Sequence, residues 1–178
     1  PSRKLDVVGV TGTNGKTTVA FLTRHLLERL VGPCGLLGTV RYETGGRVQA
    51  APLTTPDGPA LYALLAEMRD AGRRAAALEV SSHALDQGRA ADLALDAAVL
   101  TNLGRDHLDY HADLDAYRAA KLRILDLVRP GRDRAKRPGA AVVNVADPAF
   151  AGLDAETAGL GSVRFHPGPE RAPPVAAG

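Results

Sequence analysis

The stretch Val7-Val8-Gly9-Val10-Thr11-Gly12-Thr13-Asn14-Gly15-Lys16-Thr17-Thr18 runs from an apolar segment of strand length through a glycine-rich turn, and Val19, Phe21, Leu22, Leu26 and Leu27 then follow with helical period. Strand, turn and helix in that order open an α/β layer. The turn has the composition of a phosphate loop. Gly12 and Gly15 let backbone N–H groups converge on phosphate oxygens, Lys16 reaches terminal phosphates, and the Thr17 hydroxyl can ligate Mg²⁺. The general spacing of such loops has a glycine five residues before Gly15, where this chain has Val10, so only the shorter Gly-x-x-Gly-Lys-Thr form is matched. A plain strand-to-helix turn is the alternative, and the flanking strand and helix weigh against it.

Outward from this motif, apolar runs of strand length alternate with longer helical patterns, which predicts α/β architecture with a mostly parallel sheet flanked by helices. Strands are expected at 6–10, near 35–40, at 75–80, 97–100, 140–145 and 162–165. Helices are expected at about 16–30, 59–71 and 114–127, with a shorter piece after Asp147. Pro59 at a helix start and Gly72 beyond its end follow the usual asymmetry of helix termini. The run Ala75-Ala76-Ala77-Leu78 suits a strand buried on both faces. Residues 129–139 read as a charged, solvated connection, and the proline-rich 166–178 as a tail or linker.

With 45% hydrophobic and 24% charged residues, the 178-residue chain is long enough for a sizeable core and is neither disordered nor fibrous. Its 22 basic residues exceed its 20 acidic ones by only two, they are scattered, and there is no Trp, so nucleic acid is not an expected partner. No apolar run reaches membrane-spanning length and no signal sequence opens the chain, so membrane insertion is not expected. The expectation is a cytoplasmic, monomeric fragment. Cys34 is the one cysteine, which excludes an internal disulfide and reads as a small buried residue.

Glu79 ends the run 75–79, where open parallel sheets place ligands, and a carboxylate there could hold Mg²⁺ or simply be solvated. The next strand leads into Thr101-Asn102-Leu103-Gly104-Arg105-Asp106-His107-Leu108-Asp109-Tyr110-His111, which brings two histidines and two aspartates to the same rim. His111 reads as an ordinary loop histidine. In the following helix Leu114, Tyr117, Lys121, Ile124, Leu125 and Val128 form one apolar stripe with Lys121 in its middle. Either the lysine snorkels to water, or it is buried with a lowered pKa and a reactive neutral amine.

Four motifs together resemble the ATP-binding central domain of the Mur ligases, most closely the branch that adds the third peptide residue in peptidoglycan synthesis. They are Gly-Thr-Asn-Gly-Lys-Thr-Thr at 12–18, Leu-Thr-Thr-Pro at 53–56, Glu-Val-Ser-Ser-His-Ala-Leu at 79–85, and Asn-Leu-Gly-Arg-Asp-His-Leu-Asp-Tyr-His at 102–111. The resemblance implies a phosphate-loop NTPase-like three-layer sandwich over 1–165. It also implies UDP-binding and amino-acid-binding domains that this chain lacks. Gly12, Thr13, Asn14, Gly15, Lys16, Thr17 and Thr18 would hold ATP. Thr17 and Glu79 would bind one Mg²⁺, with His107 and a carbamate on Lys121 at a second. Lys16, Lys121 and His107 would be catalytic. Thr54, Thr55, Ser81, Gln87 and Arg89 would hold UDP-N-acetylmuramoyl-L-alanyl-D-glutamate, to which an amino acid is joined through an acyl phosphate. The resemblance leaves open whether that amino acid is meso-diaminopimelate or L-lysine. Thr-Thr after Lys16 disfavours folylpolyglutamate synthetases. Cyanophycin synthetase and a nucleotide-binding fragment without catalysis remain as alternatives.

Overall fold

The structure is a computed structural model that describes residues 1–107, 109–128 and 138–166. Its elements in chain order are β1 (Asp6–Thr11), α1 (Lys16–Leu30), β2 (Cys34–Leu37), β3 (Arg41–Glu43), β4 (Val48–Ala50), α2 (Gly58–Asp70), β5 (Ala75–Glu79), α3 (Ser82–Asp86), β6 (Ala97–Leu100), α4 (Leu114–Leu122), β7 (Ala140–Asn144) and β8 (Gly161–Phe165). The eight strands form one sheet in the order β4-β3-β2-β5-β1-β6-β7-β8. Six of them are parallel, and β3 and β4 add an antiparallel edge.

Strand alternation separates the core into two parts. One face carries Val10, Leu36 and Ala77 against Ala20 of α1. The other carries Val7, Leu78, Ala98, Leu100 and Val143 against Leu61 and Leu65 of α2, Leu85 of α3, and Ile124 and Leu125 beyond α4. Helices therefore cover both faces in the expected three-layer arrangement. The helix starts have local causes: Asp57, Ser81 and Asp113 accept from the backbone N–H of Ala60, Ala84 and Ala116, at 2.9, 3.2 and 2.8 Å. Among the described residues no helix is long and apolar enough to cross a membrane.

Three expected elements are corrected, and one hairpin is added. The strand near 35–40 stops at Leu37, because Gly38 and Thr39 turn toward Glu79, where the Thr39 N–H donates at 2.8 Å. The helix expected over 114–127 ends at Leu122 and tightens into a 3-10 turn at Leu125–Leu127. That tightening lets the Leu127 carbonyl accept from Leu95 N at 2.9 Å and Val128 pair with Leu95. In place of a helix after Asp147 there are successive turns, begun by the Asp147 carboxylate accepting from Leu103 N at 2.7 Å and Ala149 N at 2.9 Å. The β3–β4 hairpin was not expected at all. The connection expected over 129–139 and the tail over 166–178 lie almost wholly outside the described residues.

Candidate functional site

The carboxyl ends of β1, β5 and β6 meet at the centre of the sheet, where the chain first crosses to β2 and later to β6 on the other side. A cleft of about 520 Å³ opens there, lined by residues that include Thr13 to Thr18, Thr39, Thr54, Thr55, Ser81 and Lys121. It brings together segments far apart in sequence.

The loop after β1 is held rigidly from β6. Thr13 N donates to Asn102 O at 2.8 Å, Asn14 N to Asn102 Oδ1 at 2.9 Å, and Thr101 Oγ1 to Asn14 O at 2.7 Å. Gly12 has φ 147°, and a Cβ there would lie 1.8 Å from Thr101 Oγ1, so both conformation and space require glycine. Gly15 then caps α1 in the left-handed conformation, with φ 82°. The first intrahelical bond is Val19 N to Gly15 O at 2.9 Å, so the N–H groups before it are available to an anion in the cleft.

Lys16 folds back over this loop, its Nζ donating to Gly12 O at 3.0 Å and Thr13 O at 2.8 Å. Burial lowers its pKa, and the negative charges of Glu79 and Asp106 oppose that shift. One helical position on, Thr17 Oγ1 donates to Glu79 Oε2 at 3.0 Å. Glu79 is 1% exposed, so this is no solvated strand-end acid. Thr39 completes its surroundings through N to Oε1 at 2.8 Å and Oγ1 to Oε2 at 3.0 Å, and the same hydroxyl lies 3.1 Å from Thr54 Oγ1.

Lys121 is buried at 1% exposure, which decides between the two readings of the misplaced lysine. Its Nζ donates to Gly12 O at 2.9 Å, the same carbonyl that Lys16 uses, and lies 4.2 Å from the centre of the Tyr117 ring. Burial first, and then the positive charge of Lys16, bring its pKa from 10.5 to about 7, against a smaller opposing pull from Asp106. The Tyr117 hydroxyl is 3.2 Å from Thr13 Oγ1, which ties α4 to the phosphate loop.

The remaining predicted residues sit on the opposite wall and the rim. Thr55 is 3% exposed and its hydroxyl is already engaged, donating to Glu79 O at 2.9 Å and accepting from Ser81 N at 3.0 Å. Arg89 Nη1 donates to Thr55 O at 2.6 Å, while its buried Nε has no partner among the described residues. Thr54, Ser81, Gln87 and Arg89 all line the cleft, and so does His107, which has φ 53°. His111 is not an ordinary loop residue: it is 5% exposed, and its Nε2 is 3.1 Å from Ser82 Oγ. His83 packs beside His107 and Tyr110 with ring centres 4.9 and 4.2 Å away. Burial lowers the pKa of both His83 and His111. Sequence reasoning missed Thr39, Ser82 and His83 as cleft residues. Ser82 and His83 lay within a quoted motif, whereas Thr39 fell inside the strand expected near 35–40 and carried no signal of its own.

Residues 10–166 match the sequence profile of the Mur ligase middle domain. The chain is 56% identical to the UDP-N-acetylmuramoyl-L-alanyl-D-glutamate–2,6-diaminopimelate ligase of Pseudomonas syringae pv. tomato, over 70% of its own length and 26% of that protein's. It is 44% identical to the ligase of the same name from Geobacter sulfurreducens, over 81% of this chain and 28% of that one. Among solved structures, a UDP-N-acetylmuramoyl-L-alanyl-D-glutamate–2,6-diaminopimelate ligase superposes with a TM-score of 0.70 at 31% identity, covering 94% of this chain and 33% of that chain. The chain thus spans about a quarter of the curated relatives it matches.

Proposed function

The chain belongs to the Mur ligase middle-domain family, and from that premise we propose that it is the ATP-binding part of a ligase that joins 2,6-diaminopimelate to UDP-N-acetylmuramoyl-L-alanyl-D-glutamate. The relatives carry that activity in their names. The observation that carries the reading is the convergence in one cleft of the α1 N-terminus with Lys16, the Thr17–Glu79 pair and the buried amine of Lys121. Phosphate, divalent cation and a titratable anchor are provided for side by side. On this reading the flanking UDP-binding and amino-acid-binding domains complete the enzyme.

Two oxygen-bearing side chains 3.0 Å apart, one of them a buried carboxylate, fit a hard cation such as Mg²⁺. Among the described residues no three His, Cys, Asp or Glu side chains cluster as a metal site, so nucleotide oxygens and water would complete the shell. Bound there, Mg²⁺ supplies neutralisation of the charge that spreads over the transferring phosphoryl oxygens. A second cation beside His107 fits only if Lys121 is not an ammonium. We propose that the neutral Lys121 amine attacks CO₂, forming an N–C bond and releasing one proton, so that an anionic carbamate replaces a cation.

The chain's own residues then divide the work. The N–H groups at the start of α1 bind the phosphates. Lys16, which already donates to loop carbonyls, turns its ammonium onto the terminal phosphate. Thr54, Ser81, Gln87 and Arg89 orient the dipeptide, Arg89 through an anionic group. The glutamate γ-carboxylate attacks the γ-phosphorus and ADP leaves. The diamino acid amine then attacks the acyl carbon and phosphate leaves. Lys16→Ala in the complete ligase is expected to abolish ATP-dependent ligation, and turnover near that of the unsubstituted enzyme would overturn the assignment.

A further inference from the structure

At the opposite end of the sheet, a second cavity of about 290 Å³ lies between α1, the β3–β4 hairpin and the turn that enters β5. Three arginines line it: Arg24, Arg47 and Arg73. Arg24 pairs with Glu28 and Glu43, both at 3.1 Å, and Arg47 pairs with Glu67 at 3.0 Å. Among the described residues the Arg73 side chain has no ion pair or hydrogen bond, and the Nε–H groups of Arg24 and Arg73 are both buried without an acceptor. A guanidinium with no carboxylate partner at a cavity wall is where an anion from outside is accommodated.

The wall offers no spare negative charge to fill that role. Its carboxylate, Glu43, is already shared between Arg24 and Arg41, the latter at 2.5 Å. Cys34 stays a neutral thiol, since burial pushes its pKa up to about 12. Arg24, Arg41, Arg47 and Arg73 face Glu28, Glu43 and Glu67, which leaves one cation uncompensated. The hairpin turn is shaped around that cation: at Gly45, with φ 98°, a Cβ would sit 2.1 Å from Arg73 Nε.

We propose that this cavity is a binding site for a small oxyanion of the phosphate or carboxylate class, held by the Arg73 guanidinium in the field of Arg24 and Arg47. Planar guanidinium donors match the oxygens of either anion. At about 30 Å³ per water in the liquid, the cavity has room for a phosphate and its remaining hydration. The site lies apart from the nucleotide cleft but touches it through two elements. Arg24 is on α1, which starts at the phosphate loop, and Cys34 opens β2, which leads to Thr39.

The test is an NMR titration of the ¹⁵N-labelled chain, in a Lys16→Ala background that weakens anion binding at the phosphate loop. Arginine Nε–H signals are followed as inorganic phosphate, and in a parallel arm acetate, replaces chloride at constant ionic strength. Saturable shifts of the Arg24 and Arg73 signals are expected in at least one arm, and the responding arm identifies the anion class. Arg73→Gln should raise the dissociation constant at least tenfold. Signals that do not move, that move equally with chloride, or that keep their affinity in Arg73→Gln would overturn the site. Should Arg73→Gln not fold, the titration of the chain that retains Arg73 decides alone.

Discussion

Lys121→Met is expected to make the chain markedly more stable at pH 6 and to leave it nearly unchanged at pH 10. The side chain is 1% exposed, and its pKa in the folded state is about 7. In the unfolded chain a lysine keeps its proton up to about pH 10.4. Between those two values the unfolded state binds the extra proton, so stability rises with pH through that window. Below pH 7 both states are protonated, and the folded state bears the whole cost of the buried ammonium. At roughly 1.4 kcal/mol per tenfold in the proton equilibrium, that cost approaches about 5 kcal/mol. Methionine fills a similar volume without the charge. It forfeits one amine hydrogen bond to Gly12 O, worth about 1 kcal/mol. The carbonyl is not orphaned, because Lys16 still donates to it.

The net gain at pH 6 is therefore roughly 3 to 4 kcal/mol, or on the order of 10 °C in Tm for a chain of this size. At pH 10 the two contributions nearly cancel. Urea unfolding of both proteins at pH 6, 8 and 10 in CO₂-free buffer measures this directly. A separation of the two midpoints that is the same at every pH, or a Met variant less stable at pH 6, would refute the buried neutral amine. A lysine that weakens the fold at neutral pH has to be explained by what it does in the cleft.

Three further outcomes are expected. Lys121→Ala in the complete ligase should be nearly inactive and regain part of its rate with added short carboxylates that replace the carbamate; full activity in bicarbonate-free buffer and after the substitution would exclude a carbamate. Thr39→Val removes one of the donors that fix Glu79 and should raise the Mg²⁺ concentration needed for half-maximal rate about tenfold, with Thr39→Ser close to the unsubstituted enzyme. An unchanged Mg²⁺ requirement in the valine variant would show that Thr39 does not position Glu79. Gly12→Ala should cost roughly 3 kcal/mol or more in a urea melt, since its Cβ would meet Thr101 Oγ1 in a backbone conformation alanine avoids.

Much of the framework was legible in the chain itself. The strand, turn and helix of residues 6–30 are signalled by neighbouring residues, and they form as read. The apolar run of β5 and the cap at Asp57 are equally local. The β3–β4 hairpin was missed because each strand has three residues, too few to show alternation, although Gly45-Gly46 between them is a turn signal. Helix α3, with five residues, is likewise too short for its period to be seen. The break after Leu122 answers to Leu95, a partner in another segment.

For the candidate site the division is sharper. The sequence alone determined which residue types were present, a glycine-rich loop with Lys16 and Thr17, an acid ending a strand, and a lysine in an apolar stripe, because spacing along the chain sets which of these share a turn or a helix face. Only the tertiary structure decided that Lys121 is buried rather than snorkelling, that its amine shares the Gly12 carbonyl with Lys16, and that Thr39 holds Glu79. Those contacts join residues 109 and 40 positions apart. Desolvation and charge repulsion, which set the pKa of Lys121, arise from packing across that distance and are not encoded in local periodicity.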